Sequence, residues 1–170
     1  AALYLLEGDG SLRVVVAVGR QAEELQGFRV PAGAGIVGRV VSSGEGIIVN
    51  DARNDPEAVG VPGTPDEPGE KLIAAPLAVA GRVTGVMSVW RGEAEAPFLP
   101  EDLVFLCALA RQAAVAIENA RLHRRATDEA RRAALLYESA SAARAEAEEA
   151  NRLKSRFLAN MTHELRTPLN

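Results

Sequence analysis

Up to about residue 100 the chain alternates short apolar runs with clusters of Gly, Pro, Asn and Asp, a pattern that predicts a sheet-rich domain. Residues 2–6 and 12–18 flank Glu7-Gly-Asp-Gly10, where glycine accepts the positive φ of a hairpin turn. Residues 72–79 and 83–90 flank Ala80-Gly-Arg82 and predict a second hairpin. Residues 47–49 read as a short strand that stops at Asn50-Asp51. Gly35-Ile-Val-Gly-Arg-Val-Val41 reads as a short helix entered through the Pro31-Ala-Gly-Ala-Gly35 loop. Residues 51–70, rich in Pro, Gly and acids, predict a long exposed loop with at most a helical turn, and loops of that length are often lids or binding loops.

From Pro100 onward the period changes from two to about 3.6. Proline suits the first helical position, and Glu101 and Asp102 favour the positive end of the helix dipole. Leu103, Leu106, Ala110, Ala113, Ile117 and Ala120 recur at steps of three and four, which predicts one buried face. Neither Gly nor Pro returns until Pro168. An unbroken helix over that stretch would run roughly 100 Å at about 1.5 Å per residue, more than a core this small can cover. It calls for a partner helix. Ala133, Leu136, Ala140, Ala143, Ala147 and Ala150 keep a heptad-like spacing among Arg and Glu, predicting a coiled coil with a narrow seam. Alanine favours helix strongly but buries little apolar area, so such a seam is weakly held. A solvated single helix stabilised by ion pairs is the other reading of the same pattern.

Composition narrows the class. The 170 residues, 18.0 kDa, leave room for one compact domain and an extension, and 48% apolar residues suffice for a core. A net charge of -4 and a pI near 5.3 give no global reason to expect nucleic acid. The single cysteine, Cys107, rules out an internal disulfide framework and any cysteine-based zinc cluster. It lies in an apolar helical stretch as a small core residue, and a lone free thiol fits a reducing, cytoplasmic setting. No run of about 20 apolar residues suggests a membrane span. The opening Ala1-Ala-Leu-Tyr-Leu-Leu6 reads as a strand and not a signal peptide, so membrane helices or further sensor domains upstream stay open.

A family resemblance enters with Phe28-Arg-Val-Pro-Ala-Gly-Ala-Gly-Ile-Val-Gly38 and Gly46-Ile-Ile-Val-Asn-Asp51. It continues through Lys71-Leu-Ile-Ala-Ala-Pro-Leu77, Gly85-Val-Met-Ser-Val89 and Pro97-Phe-Leu-Pro-Glu-Asp-Leu103, and closes with Leu109-Ala-Arg-Gln-Ala-Ala-Val-Ala-Ile-Glu-Asn-Ala-Arg-Leu122. In order and spacing these segments resemble a GAF domain over residues 1–122. The resemblance implies an α+β fold, an antiparallel sheet flanked by helices and followed by a long C-terminal helix; the family's usual first helix is missing. Leu99 departs from the small polar cap often found before Glu-Asp-Leu, so another group is expected to cap that helix. Gly33, Gly35 and Gly38 do not make a phosphate loop, since no Lys follows at the required spacing; close packing and tight turning explain them better. GAF domains bind small molecules such as cyclic nucleotides, haem or bilins, and many bind nothing known. Haem is disfavoured because no His precedes His123, and a covalent bilin because Cys107 lies in the wrong element. The signature associated with cyclic-nucleotide binding is not visible, which leaves an unidentified small molecule or a ligand-free dimerisation role. His123, among Arg121, Arg124 and Arg125, reads as a solvated helix residue.

Phe157-Leu-Ala-Asn-Met-Thr-His163-Glu-Leu-Arg-Thr-Pro-Leu-Asn170 carries the chemistry. It sets a histidine beside a carboxylate on a helix that Pro168 should kink or stop. The string resembles the phosphoacceptor box of sensor histidine kinases. That resemblance implies that His163 attacks the γ-phosphate of ATP, that Glu164 accepts or relays the proton, and that Thr167 orients water when phosphohistidine is hydrolysed. ATP and Mg²⁺ would be held by a domain absent from this chain, so the chain alone should be inactive. No metal site is expected here. The organisation then reads as a GAF sensory domain over 1–122, a coiled-coil signalling linker over 123–152 and the start of the dimerisation and phosphoacceptor domain over 153–170. The expected partners are a second copy through parallel helices and a response-regulator receiver domain. The alternative is a non-catalytic binding or dimerisation module with a degenerate histidine box. A linked cyclic-nucleotide phosphodiesterase is disfavoured, since it would need a metal-binding His/Asp cluster.

Overall fold

The structure, a computed structural model, describes residues 1–60 and 69–166, with side chains through 158 and at 161. It divides into two compact units, Ala1–Ala120 and Arg121–Asn170. The first unit holds an α+β fold. Strands β1 (Ala2–Leu6), β2 (Leu12–Ala17), β3 (Arg29–Val30), β4 (Ile47–Val49), β5 (Lys71–Val79) and β6 (Arg82–Arg91) form one antiparallel sheet in the order β3-β2-β1-β6-β5-β4. Helices α1 (Ala22–Leu25) and α2 (Gly35–Ser43) pack on one face, and α3 (Pro100–Arg166) begins on the other.

Both hairpins form where the turn residues predict them. In the second, Ala80 and Gly81 both take positive φ, 50° and 79°, the backbone of a two-residue type I′ turn. The two hairpins meet through β1 and β6 at the sheet's centre, pairing Tyr4 with Val86 and Leu5 with Gly85. Gly85 is required there, since a Cβ would run into the Tyr4 carbonyl oxygen of the neighbouring strand. Pro76 sits within β5 although proline cannot donate to a ladder. It is tolerated because β4 pairs only with Leu72 to Ala74 and leaves that edge open at Pro76.

Alternation along the strands sorts the core into two layers. Tyr4, Leu12, Val14, Ala74 and Val86 face α1 and α2 and pack with Leu25, Val30, Val37 and Val40. Ile73, Ala75 and Leu77 face the other way, against Phe98, Leu106, Ala110 and Ala114. Each fully buried Leu, Ile or Val stabilises the fold by about 1.5–3 kcal/mol relative to exposure. The helix stripe is placed one step differently from its prediction. Ala114 is buried and Ala120 is exposed, while Leu103, Ala113 and Ile117 are partly buried against the same layer. Cys107 is also partly buried in that layer, as expected of a small core residue. Gly38 packs so closely on Gly33 that a Cβ would lie 2.6 Å from the Gly33 carbonyl carbon, the tight packing expected of that loop. The pattern did not reveal α1 or β3, which have only four and two residues and too little length to show a period.

The group that caps α3 in place of a small polar residue is Asp102. Its Oδ2 accepts from the Leu99 N–H at 2.9 Å, the returning half of a capping box. Asn50, just past β4, clamps the preceding residue twice. Its Oδ1 accepts from Phe98 N–H at 2.8 Å, and its Nδ2 donates to the Phe98 carbonyl at 3.1 Å. In the second unit α3 is exposed from Leu122 to Leu158, including Leu136, Tyr137 and Phe157. One window of α3 reaches a mean hydropathy of 1.4 and meets the length and composition required to cross a membrane. That test is weak, because helices that pack on a core pass it too; near its start α3 packs Leu106, Ala110 and Ala114 on the sheet.

Candidate functional site

On the α1/α2 side of the sheet lies a cavity of about 360 Å³, at the low end of the roughly 300–1,000 Å³ usual for small-molecule sites. Its floor comes from the strands, where period-two alternation aims Tyr4, Val30, Leu72 and Trp90 to one face. Leu25 and Phe28 line one side, and Gly35, Ile36 and Val37 of α2 line another. The described ends of the 51–70 loop complete it with Ala52, Arg53, Ala58, Val59, Gly60 and Glu70. The segment that reads as a long loop thus contributes walls to the cavity; residues 61–68 lie outside the described residues.

Two contacts hold this wall in place. The Ala52 N–H donates to the Glu70 carbonyl at 2.8 Å, so both ends of the loop start from one point. Arg39 of α2 then straps the outer turn, with Nη2 2.9 Å from Asp55 Oδ2 and Nη1 3.1 Å from Glu57 Oε2. Partial desolvation pushes the Asp55 carboxyl up, but hydrogen bonds from Arg39 and the Glu57 N–H, with the guanidinium charge, outweigh it and hold the carboxyl below its usual range.

The polar groups at the cavity are few. Tyr4 is 3% exposed, and burial pushes its hydroxyl up to about 12, a rise that a Ser88 hydrogen bond opposes and the Glu70 charge reinforces. Ser88 lies two residues before Trp90 on the same face of β6; it is fully buried. Its Oγ nevertheless meets no partner within strict hydrogen-bond geometry, so the Tyr4–Ser88 contact is a loose one. Arg53 is exposed at the rim and makes no hydrogen bond or ion pair among the described residues.

None of Tyr4, Arg53, Glu70 or Trp90 stands out as a site residue in the sequence. The signals available were the chain's only tryptophan and the alternation that puts Val86, Ser88 and Trp90 on one face.

The residues singled out for chemistry lie elsewhere. His163 and Glu164 fall on the helical backbone of α3, while their side chains, and all of Thr167 and Pro168, lie outside the described residues. His123 is exposed on α3, as expected, and its carbonyl accepts from Thr127 Oγ1 at 2.9 Å. Cys107 lies on α3 across the sheet from the cavity, and burial raises its thiol pKa against the opposing pull of Arg111. Among the described residues no group of three or more His, Cys, Asp or Glu is placed to hold a metal ion.

Comparison with known proteins gives these features a family. The chain is 33% identical over 101 residues to hybrid signal transduction histidine kinase G of Dictyostelium discoideum, and 35% identical over 105 residues to the circadian input-output histidine kinase CikA of Thermosynechococcus vestitus. It is 29% identical over 134 residues to the Nif-specific regulatory protein of Azospirillum brasilense. These alignments cover 59%, 57% and 76% of this chain but 3%, 14% and 21% of the relatives, so the chain spans a minor part of each. The GAF-B domain of DevS from Mycobacterium smegmatis superposes with a TM-score of 0.60 at 22% identity, over 73% of this chain and 82% of that one, a likeness of fold. A sequence model of the GAF domain matches residues 1–118, and the chain belongs to the GAF domain family.

Proposed function

We propose that this chain is the sensory and phosphoacceptor portion of a two-component sensor histidine kinase. A signal received at the GAF cavity is relayed along α3 to His163, which is phosphorylated from ATP and passes the phosphoryl group to an aspartate of a response-regulator receiver domain. Glu164 takes or relays the proton from the attacking imidazole, and Thr167 positions water for the reverse hydrolysis. ATP and Mg²⁺ belong to a separate domain, and phosphoryl transfer depends mainly on how that domain positions and neutralises the γ-phosphate. The observation that carries this reading is the string from Phe157 to Asn170, which follows on the helix that leaves the GAF domain. Two of the relatives above, named as histidine kinases, support it.

The same reading makes the protein a cytoplasmic parallel homodimer. The heptad steps that run through Ala133, Leu136, Ala140, Ala143, Ala147 and Ala150 also pass, when carried back, through Leu122, Val115, Ala108 and Phe105. Phe105 is 72% exposed and Leu136 70% exposed, large apolar surfaces that a second copy would cover. An alanine seam buries little area, so two helix arrangements lie close in energy, as a transmitted switch requires. Replacing Ala140 and Ala147 with Leu should tighten the dimer and lock the output; an unchanged response to signal would count against this relay.

The decisive experiment incubates the full-length parent and its His163→Gln variant with γ-labelled ATP and Mg²⁺. Acid-labile, alkali-stable label lost in the variant is the expected result. Label retained in the variant would overturn the assignment of His163. No label in either protein would favour a non-catalytic binding or dimerisation module.

A further inference from the structure

Residues 53–60 supply Arg53, Ala58, Val59 and Gly60 to the cavity wall, and they hold their own shape. The Ala58 N–H donates to the Asp55 carbonyl at 3.0 Å, and the Glu57 N–H to Asp55 Oδ1 at 3.0 Å. Asn54 Nδ2 donates back to Asp51 Oδ2 at 2.9 Å. The segment starts from a fixed base, since Ala52 is buried with Ile36 and Leu72 and its N–H is bonded to the Glu70 carbonyl. A piece of chain that is stiff within itself and anchored at one end moves as a unit about that end.

Farther out the attachment is slight. Val59 lies against α2, where a Cβ on Gly35 would come 3.3 Å from Val59 Cγ2, yet Val59 stays exposed. Among the described residues, the hydrogen bonds and ion pairs that tie 53–60 to the helices and strands all come from Arg39, through Asp55 and Glu57. The Arg39 side chain is 34% exposed and that of Glu57 54%, and ion pairs so open to solvent gain little. Arg39 Nε is buried with no hydrogen-bond partner among the described residues, a cost that release into water removes. Strapped and released arrangements therefore lie close in free energy.

We propose that residues 53–60 are a flap that pivots at Ala52 to admit a small molecule, and that Arg39 is the strap that holds it shut. A molecule in the cavity touches Ala58 and Val59 from inside, contacts that only the shut flap offers, so occupancy and strapping reinforce each other. The inference rests on the cavity being the sensory input, and it assigns that input a gate.

Trp90 lines the cavity and is the chain's only tryptophan, so quenching of its emission by acrylamide reports how open the cavity is. The full 170-residue chain is compared with Arg39→Gln, Asp55→Asn and the double variant. Each single variant should raise the quenching constant about twofold or more, the shift in a two-state balance that follows from losing an ion pair of this exposure. The double variant should quench no more than either single one, because both remove the same strap; effects that simply add would mean general loosening and overturn the proposal. Raising NaCl from about 0.05 M to about 0.5 M should likewise increase quenching in the parent and leave Arg39→Gln unchanged. The salt series on the unaltered chain decides the matter even where a variant fails to fold. Quenching that neither salt nor the single variants alter would overturn the proposal. The measurement needs neither ATP nor His163, so failure of the kinase reading appears only in the labelling experiment.

Discussion

Replacing Asn50 with alanine deletes both hydrogen bonds that tie the end of β4 to Phe98, the residue that leads into α3. Each neutral hydrogen bond contributes about 1 kcal/mol net, and a stranded buried partner costs about 1–3 kcal/mol. If water replaces both Asn50 contacts, the loss is about 2 kcal/mol; if both Phe98 groups are stranded, it approaches about 4 kcal/mol. The site is partly buried, which places the expected loss near 2 kcal/mol. For a domain of this size that corresponds to a fall of roughly 6–10 °C in thermal midpoint. Urea unfolding of the full chain, followed by near-ultraviolet signal from Trp90, should show the midpoint fall with the slope m unchanged. Asn50→Asp keeps the acceptor for Phe98 N–H but loses the donor, so it should lie between the two. A loss below about 0.5 kcal/mol in Asn50→Ala would refute the argument, since surface substitutions alone fall in that range. Asn50 lies two residues from cavity-lining Ala52 and touches the lead-in to α3, so the proposed relay would run through this contact. A variant that stays folded but loses signal-dependent output of the full-length parent would mark it as part of the relay.

Tyr4 predicts an alkaline limit. Its ionisation is raised to about 12 by burial, against an ordinary value near 10, so its contribution is complete below pH 10 and lost as pH rises through 12. That contribution is on the order of 3 kcal/mol, and Tyr4→Phe should lose less stability than the parent between those limits in a pH series of urea titrations. The turn offers a gain. Ala80 holds a φ of 50°, which Asn or Gly adopts at lower cost, so Ala80→Asn should raise stability by about 0.5–1 kcal/mol in the same assay. A destabilised Ala80→Asn would show that the type I′ geometry is not what limits this hairpin.

Local patterns were enough for much of this molecule. Alternating residues and turn signals marked β1, β2, β4, β5 and β6 within a residue or two, because strand period and turn chemistry are properties of the chain itself. The 3.6-residue spacing likewise placed α3 and most of its buried stripe, and the histidine box is legible as a string. Which strands became neighbours was not legible locally, since pairing β1 with β6 joins segments more than 70 residues apart. Short elements such as β3 exist only because Arg13 and Leu12 of β2 offer them a ladder. The cavity belongs wholly to the tertiary structure. Tyr4, Arg53, Glu70 and Trp90 are scattered over almost ninety residues and carry no mutual spacing; only sheet closure and the Ala52–Glu70 contact bring them to one space. Sequence decides what each segment can form, because backbone sterics and burial act over a few residues. Tertiary structure decides which side chains share an environment, because that depends on pairings made across the whole domain.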